Sequence, residues 1–124
     1  MIKKNKILYI DDEIINLQLF EYNFSGSYEV ITGNSGALGL KLLEKHPDIK
    51  VVISDMKMPI MNGLEFINRA KLKFKEKIYF ILTGYDITEE IEMAITSRLI
   101  MKYFRKPFNI SEIQKAINEA INGT

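Results

Sequence analysis

Five side chains suited to phosphoryl chemistry stand just beyond runs of apolar residues. Asp11 and Asp12 follow Ile7-Leu8-Tyr9-Ile10, and Asp55 follows Val51-Val52-Ile53-Ser54. Thr83 follows Ile78-Tyr79-Phe80-Ile81-Leu82, and Lys106 comes just after an apolar-rich stretch at 100–104. A fifth stretch, Tyr28-Glu29-Val30-Ile31, leads only to Thr32 and Gly33. One aspartate after a strand is an ordinary turn residue. Several reactive types at the ends of several strands are a different matter, because ligands of open α/β sheets bind outside the strands' carboxyl ends.

If the first and third strands are neighbours, three carboxylates share one crevice. Two carboxylates about 4 Å apart repel by roughly 4 kcal/mol at an effective dielectric near 20. Such a cluster persists when a cation neutralises it or a proton is taken up. Oxygen ligands without Cys or His partners select a hard cation, and Mg²⁺ typically combines carboxylates with substrate phosphate oxygens. With the charge offset, Asp55 can act as a nucleophile toward phosphorus. The phosphoryl oxygens would then be held by the metal, the Lys106 ammonium and the Thr83 hydroxyl. Gly84 leaves room for the group.

The elements that must position these residues alternate. Short strands at 7–10, 28–31, 51–54, 78–82 and 100–104 are each followed by a helical pattern. Helices are expected at 14–24, where dense apolar positions predict a wide buried stripe, and at 36–45, burying Ala37, Leu38, Leu40, Leu42 and Leu43. A third runs over 63–74, with Leu64, Phe66, Ile67, Ala70 and Leu72 on its apolar side. A fourth covers 88–97, with Ile91, Ala94 and Ile95 inward. The last opens on Ser111-Glu112-Ile113-Gln114, a capping-box pattern, and buries Ile113, Ala116, Ile117, Ala120 and Ile121. Acids before the first helix suit its N-terminus. Five βα units with short connections predict a doubly wound α/β fold, a five-stranded parallel sheet with helices on both faces.

The 124 residues suit one domain over 1–124, with 47% hydrophobic residues and a net charge of +1. That balance gives no support to a nucleic-acid or membrane partner. There is no cysteine, which excludes disulfides and thiolate chemistry. The apolar run near the start is too short for a signal-peptide core or a membrane span, so a cytoplasmic protein is expected. His46, the only histidine, reads as an exposed loop residue. Met56, Met58 and Met61 read as packing rather than metal ligands.

Residues 7–13 (ILYIDDE), 54–63 (SDMKMPIMNG), 82–84 (LTG) and 103–108 (YFRKPF) resemble the receiver domain of two-component response regulators, over essentially the whole chain. The resemblance implies a flavodoxin-like (βα)5 fold with strand order 2-1-3-4-5. It implies that Asp55 is the phosphoacceptor, charged by a histidine kinase or phosphotransfer protein, and that Asp12, Asp55 and the Lys57 backbone carbonyl hold Mg²⁺. Asp11 would act mainly through a bound water. Thr83 and Lys106 would bind phosphoryl oxygens, with the Lys106–Pro107 bond cis. Thr83 and Tyr103 would form a switch that alters the face of helix four, strand five and helix five for an output protein. Any chemistry of the chain's own would be limited to self-phosphotransfer and autodephosphorylation. With the sequence read to Thr124, output is expected through protein contacts, or else the chain is a piece of a longer protein with an effector domain.

Three positions depart from that pattern. Leu99 stands where relatives often have glycine, so the local path there is expected to differ. Met101 and Lys102 replace an acidic pair that many DNA-binding regulators use in dimers. Asn62 replaces an aspartate before Gly63 and still serves as a cap. Lys57 and Tyr85 lie where they could gate attacking water or merely face solvent. The alternatives are a Mg²⁺-dependent phosphatase with an aspartyl intermediate and a receiver-like scaffold that takes no phosphate. Haloacid-dehalogenase-type phosphatases place the nucleophile after the first strand with a second Asp two residues on, whereas Asp11 and Asp12 are adjacent.

Overall fold

A computed structural model describes residues 3–84 and 87–123. Each apolar run forms a strand: β1 (Lys6–Ile10), β2 (Glu29–Gly33), β3 (Ile49–Asp55), β4 (Ile78–Thr83) and β5 (Lys102–Arg105). They pair in parallel in the order β2-β1-β3-β4-β5, the doubly wound, flavodoxin-like arrangement. The connecting helices are α1 (Ile14–Phe24), α2 (Gly36–Lys45), α3 (Gly63–Lys73) and α4 (Glu89–Thr96), with α5 (Ile110–Asn122) last.

Side chains alternate along a strand, so each strand feeds two cores. Leu8, Ile10, Val52 and Ile81 pack with Leu43, Phe66, Ile67 and Ile91 of α2, α3 and α4. Tyr9, Ile53, Phe80 and Leu82 pack with Phe20, Phe24, Ile113 and Ile117 of α1 and α5. Met58 is buried, and Met56 and Met61 pack against the first cluster, which is the gap-filling role thioethers suit.

Several sequence expectations are corrected. The wide buried stripe of α1 narrows to Phe20 and Phe24, while Ile14, Ile15, Leu19 and Tyr22 are exposed. One helix on one sheet face needs only a narrow stripe, so its remaining apolar positions face outward. In α2 the buried positions are Gly36, Gly39 and Leu43, whereas Ala37 and Leu38 are exposed. The Phe66 ring explains this, since a Cβ on Gly39 would lie 2.8 Å from it. Leu72 of α3 is exposed as well. β2 begins one residue later than expected and takes in Thr32 and Gly33, and β5 begins at Lys102. Ile100 is buried ahead of it.

The caps also shift. Glu13 makes no side-chain cap on α1, and α5 is capped by Asn109, which accepts from the Glu112 N–H at 2.9 Å. An amide oxygen two residues before Ser111 supplies the acceptor, so the helix starts earlier. Asn62 does cap α3, in a reciprocal box with Glu65 at 2.9 and 3.0 Å. At the end of α4 the left-handed residue is Arg98, with φ 64°, so Leu99 escapes strain. The Arg98 N–H bonds Ile95 O at 3.0 Å and the Leu99 N–H bonds Ala94 O at 2.8 Å, a Schellman closure.

Candidate functional site

Because β1 and β3 are adjacent and Ile10 pairs with Ser54, Asp11 and Asp55 leave the sheet side by side. Backbone bonds hold the strand ends in place: Asp11 N–H to Gly33 O at 3.1 Å, Met56 N–H to Leu82 O at 2.8 Å and Lys106 N–H to Thr83 O at 2.8 Å. The last places Lys106 opposite the acids. The Lys106–Pro107 bond is cis, as is the expectation from the resemblance. A Cβ on Gly63 would collide with the Asp55 carbonyl oxygen, so the start of α3 can approach the end of β3 only as glycine.

Ligand atoms of Asp11, Asp12 and Asp55 all lie within 4.8 Å of one another. Asp11 is fully buried, Asp55 is buried and Asp12 is exposed. The Lys106 ammonium bridges the first two, 2.8 Å from Asp55 Oδ1 and 3.3 Å from Asp11 Oδ2. Asp11 also accepts from the Tyr9 hydroxyl at 2.6 Å and from the Glu13 N–H at 3.0 Å. Among the described residues, no buried side-chain polar atom lacks a partner.

The electrostatics are lopsided. Burial raises the pKa of Asp55 above the usual carboxylate value; the Lys106 hydrogen bond and charge oppose this, and Asp11 and Asp12 add to it. Burial works to lower the pKa of Lys106, but the hydrogen bond and charge of Asp55, with Asp11 in support, carry it upward. The lysine answers two carboxylates, whereas Asp55 answers one cation and two like charges. Among the described residues, three clustered carboxylates have one ammonium, that of Lys106, within ion-pair distance.

That donor set fits a hard divalent cation. Oxygens sharing one Mg²⁺ lie at most about 4.2 Å apart, so a group of this spread closes with small rotations or with one carboxylate acting through water. The acids open into a cleft of about 780 Å³, whose walls include Asn16, Lys57, Gly84 and Lys106.

The structure thus brings together Asp11, Asp12, Asp55 and Lys106, with exposed Lys57 at the rim. Thr83 is buried at the end of β4, one residue before Gly84. Tyr103 is half-buried and lines a separate groove with Ile95, Met101 and Glu112. Tyr85 lies outside the described residues. Sequence reasoning missed Tyr9, which it treats as one more apolar strand residue. The signal was present: residues two apart share a face, so a phenol two before Asp11 points its hydroxyl toward that carboxylate.

Comparison with known proteins agrees in kind. The family model for the response regulator receiver domain matches residues 7–118. Sporulation initiation phosphotransferase F of Bacillus subtilis is 32% identical, over 92% of this chain and 91% of that protein. A response regulator receiver domain protein from Clostridium thermocellum is 35% identical with TM-score 0.84, covering 94% of each chain. Chemotaxis protein CheY4 of Vibrio cholerae is 27% identical with TM-score 0.85, covering 94% of this chain and 98% of that one. The chain spans about a quarter of the length of the hydrogenase transcriptional regulatory proteins HoxA of Cupriavidus necator and Bradyrhizobium diazoefficiens, which it matches at 24% identity.

Proposed function

The chain belongs to the response regulator receiver family, and from that premise we propose that it takes a phosphoryl group onto Asp55 within a two-component phosphorelay. The observation that carries the reading is the buried Asp55 carboxylate, 2.8 Å from Lys106 and grouped with Asp11 and Asp12. Such crowding costs stability and has no packing rationale.

In the proposed step an Asp55 oxygen attacks phosphorus of a phosphohistidine donor from a histidine kinase or phosphotransfer protein. The P–N bond breaks, its electron pair goes to the departing imidazole, and an acyl phosphate remains. Asp12, Asp55 and the Lys57 carbonyl would hold Mg²⁺, with Asp11 acting through water; the ion would offset the repulsion between acid and phosphate. Lys106 then moves from carboxylate to phosphoryl oxygen, and Thr83 takes another. The movement of Thr83 would favour an inward Tyr103, changing the groove along α4, β5 and α5 for an output protein by population shift. Ile14 and Ile15 follow Glu13, a residue of the cleft wall, in the chain, and with Leu19 and Tyr22 of the same helix they are exposed. They offer apolar area to a phosphodonor protein.

Among the described residues no helix is long and apolar enough to cross a membrane, and a cytoplasmic location accords with this reading. Incubation with Mg²⁺ and acetyl phosphate should add one alkali-labile phosphoryl group, detected by intact mass. Asp55→Asn should abolish the adduct, and Lys106→Ala should keep the adduct but lose the response of the Tyr103 groove. Repeated turnover of a phosphate ester would instead support a phosphatase. No adduct on metal-loaded protein would leave a scaffold.

A further inference from the structure

A phenol sits where the core asks only for a hydrocarbon. Tyr9 is fully buried on β1 among Ile7, Phe20, Ile53 and Phe80, and its ring stacks on Phe20 with centroids 4.1 Å apart and planes 12° apart. Phenylalanine would fill the same space without a hydroxyl to desolvate, and burying a hydroxyl is costly unless it is bonded. Its bond goes to one atom, Asp11 Oδ2 at 2.6 Å.

That oxygen is shared. Lys106 reaches the same Oδ2 from the cleft side at 3.3 Å, while its shorter contact, 2.8 Å, is to Asp55. Asp11 Oδ1 is taken by the Glu13 N–H at 3.0 Å. Of these two side-chain donors on Oδ2, among the described residues, one hangs on a flexible stem that the proposed reaction must redeploy. The other is a neutral hydroxyl on a ring clamped in the core.

We propose that Tyr9 is a positioning residue for the metal site: its hydroxyl orients Asp11 from beneath and keeps Oδ2 satisfied when Lys106 leaves. This rests on the Mg²⁺ reading above. Without the hydroxyl, Oδ2 would keep only its contact with Lys106 among these two donors, and cation binding would have to compete with that buried ion pair. Partners of this kind, one bond removed from the ion, commonly change metal affinity by about ten- to a hundredfold when lost.

The test is a Mg²⁺ titration of the unphosphorylated protein followed by amide NMR shifts. Tyr9→Phe, which keeps the ring and the stack, should weaken Mg²⁺ binding about tenfold. Acetyl phosphate uptake should need correspondingly more Mg²⁺ yet reach the wild-type rate at saturation. Phe24→Leu, which loosens the same core without touching the hydroxyl, should lower the melting temperature and leave the affinity unchanged. In an Asp11→Asn background, Tyr9→Phe should change the affinity no further. Wild-type affinity in Tyr9→Phe overturns the proposal, as does equal weakening by Phe24→Leu or a full effect in the Asp11→Asn background. Wild-type protein that binds no Mg²⁺ overturns the metal reading itself, which is a separate failure.

Discussion

The two ends of the sheet handle charge in opposite ways. At the amino end, Lys77 donates to Pro47 O and Ile49 O at 2.8 and 2.7 Å, and Lys71 donates to Arg98 O. Lys6 pairs with Asp48 at 3.0 Å and Lys73 with Glu44 at 2.8 Å. Lys71 and Lys73 also lie in the last turn of α3, where cations suit the helix dipole. Each of these charges satisfies a carbonyl, an opposite charge or a helix end. At the carboxyl end, among the described residues, two buried carboxylates and a third beside them have the Lys106 ammonium as their ion-pair partner. Charge placed against stability marks where chemistry is done.

The largest test of this contrast is Gly63→Ala. Its Cβ would press on the Asp55 carbonyl oxygen and on Ile81 Cδ1, 2.9 Å away. It should cost about 1–3 kcal/mol in urea denaturation. It should also cut acetyl phosphate uptake sharply, because the end of β3 must move.

Asp55→Asn should do the reverse to stability. In chelator at neutral pH the variant should melt a few °C higher than wild type, on the order of 3–5 °C. Asp55 has a raised pKa in the fold, so the folded protein keeps that proton to higher pH than the unfolded chain. Stability from this group is therefore present below the unfolded pKa and lost as pH rises through the folded one. The advantage of asparagine should be full above that window and shrink toward zero as the solution is acidified. Asp48 and Glu44, held below the usual range by Lys6 and Lys73, titrate with the opposite sign at the other end. An advantage that grew on acidification would show that Lys106 compensates Asp55 fully.

The smallest effect compares two backbones. Among the described residues, each end holds one non-glycine residue at positive φ, Arg98 (64°) and the fully exposed Ile60 (71°). Ile60 is the middle of a tight turn closed by Met61 N–H to Pro59 O at 2.7 Å. Left-handed backbone costs an L-residue about 1 kcal/mol that glycine avoids. Arg98→Gly should stabilise the fold by about 0.5–1 kcal/mol with Mg²⁺ affinity unchanged, as calorimetry and titration would show. A change in affinity would mean the two ends are coupled.

Much of this was legible because β and α periods are local. Each apolar run ended where a polar residue began, so the strand ends carrying Asp11, Asp55, Thr83 and Lys106 could be read directly. What misled was hydrophobicity without direction. Ile14, Ile15, Leu19 and Tyr22 look like core but face outward, and in α2 Ala37 and Leu38 do the same while Gly39 receives the Phe66 ring. Tyr9 reads as apolar because a pattern scores its ring and not its hydroxyl.

By itself, the sequence determined which residues stand at the carboxyl ends of the strands and that the elements alternate. Spacing along one chain sets both. Tertiary structure decided that β1 lies against β3, which brings Asp11 and Asp55 together, and that Lys106 divides itself between them. It also decided that a core tyrosine holds one carboxylate from below. Those depend on pairing between strands distant in sequence and on rotamers chosen by packing, which no local pattern encodes.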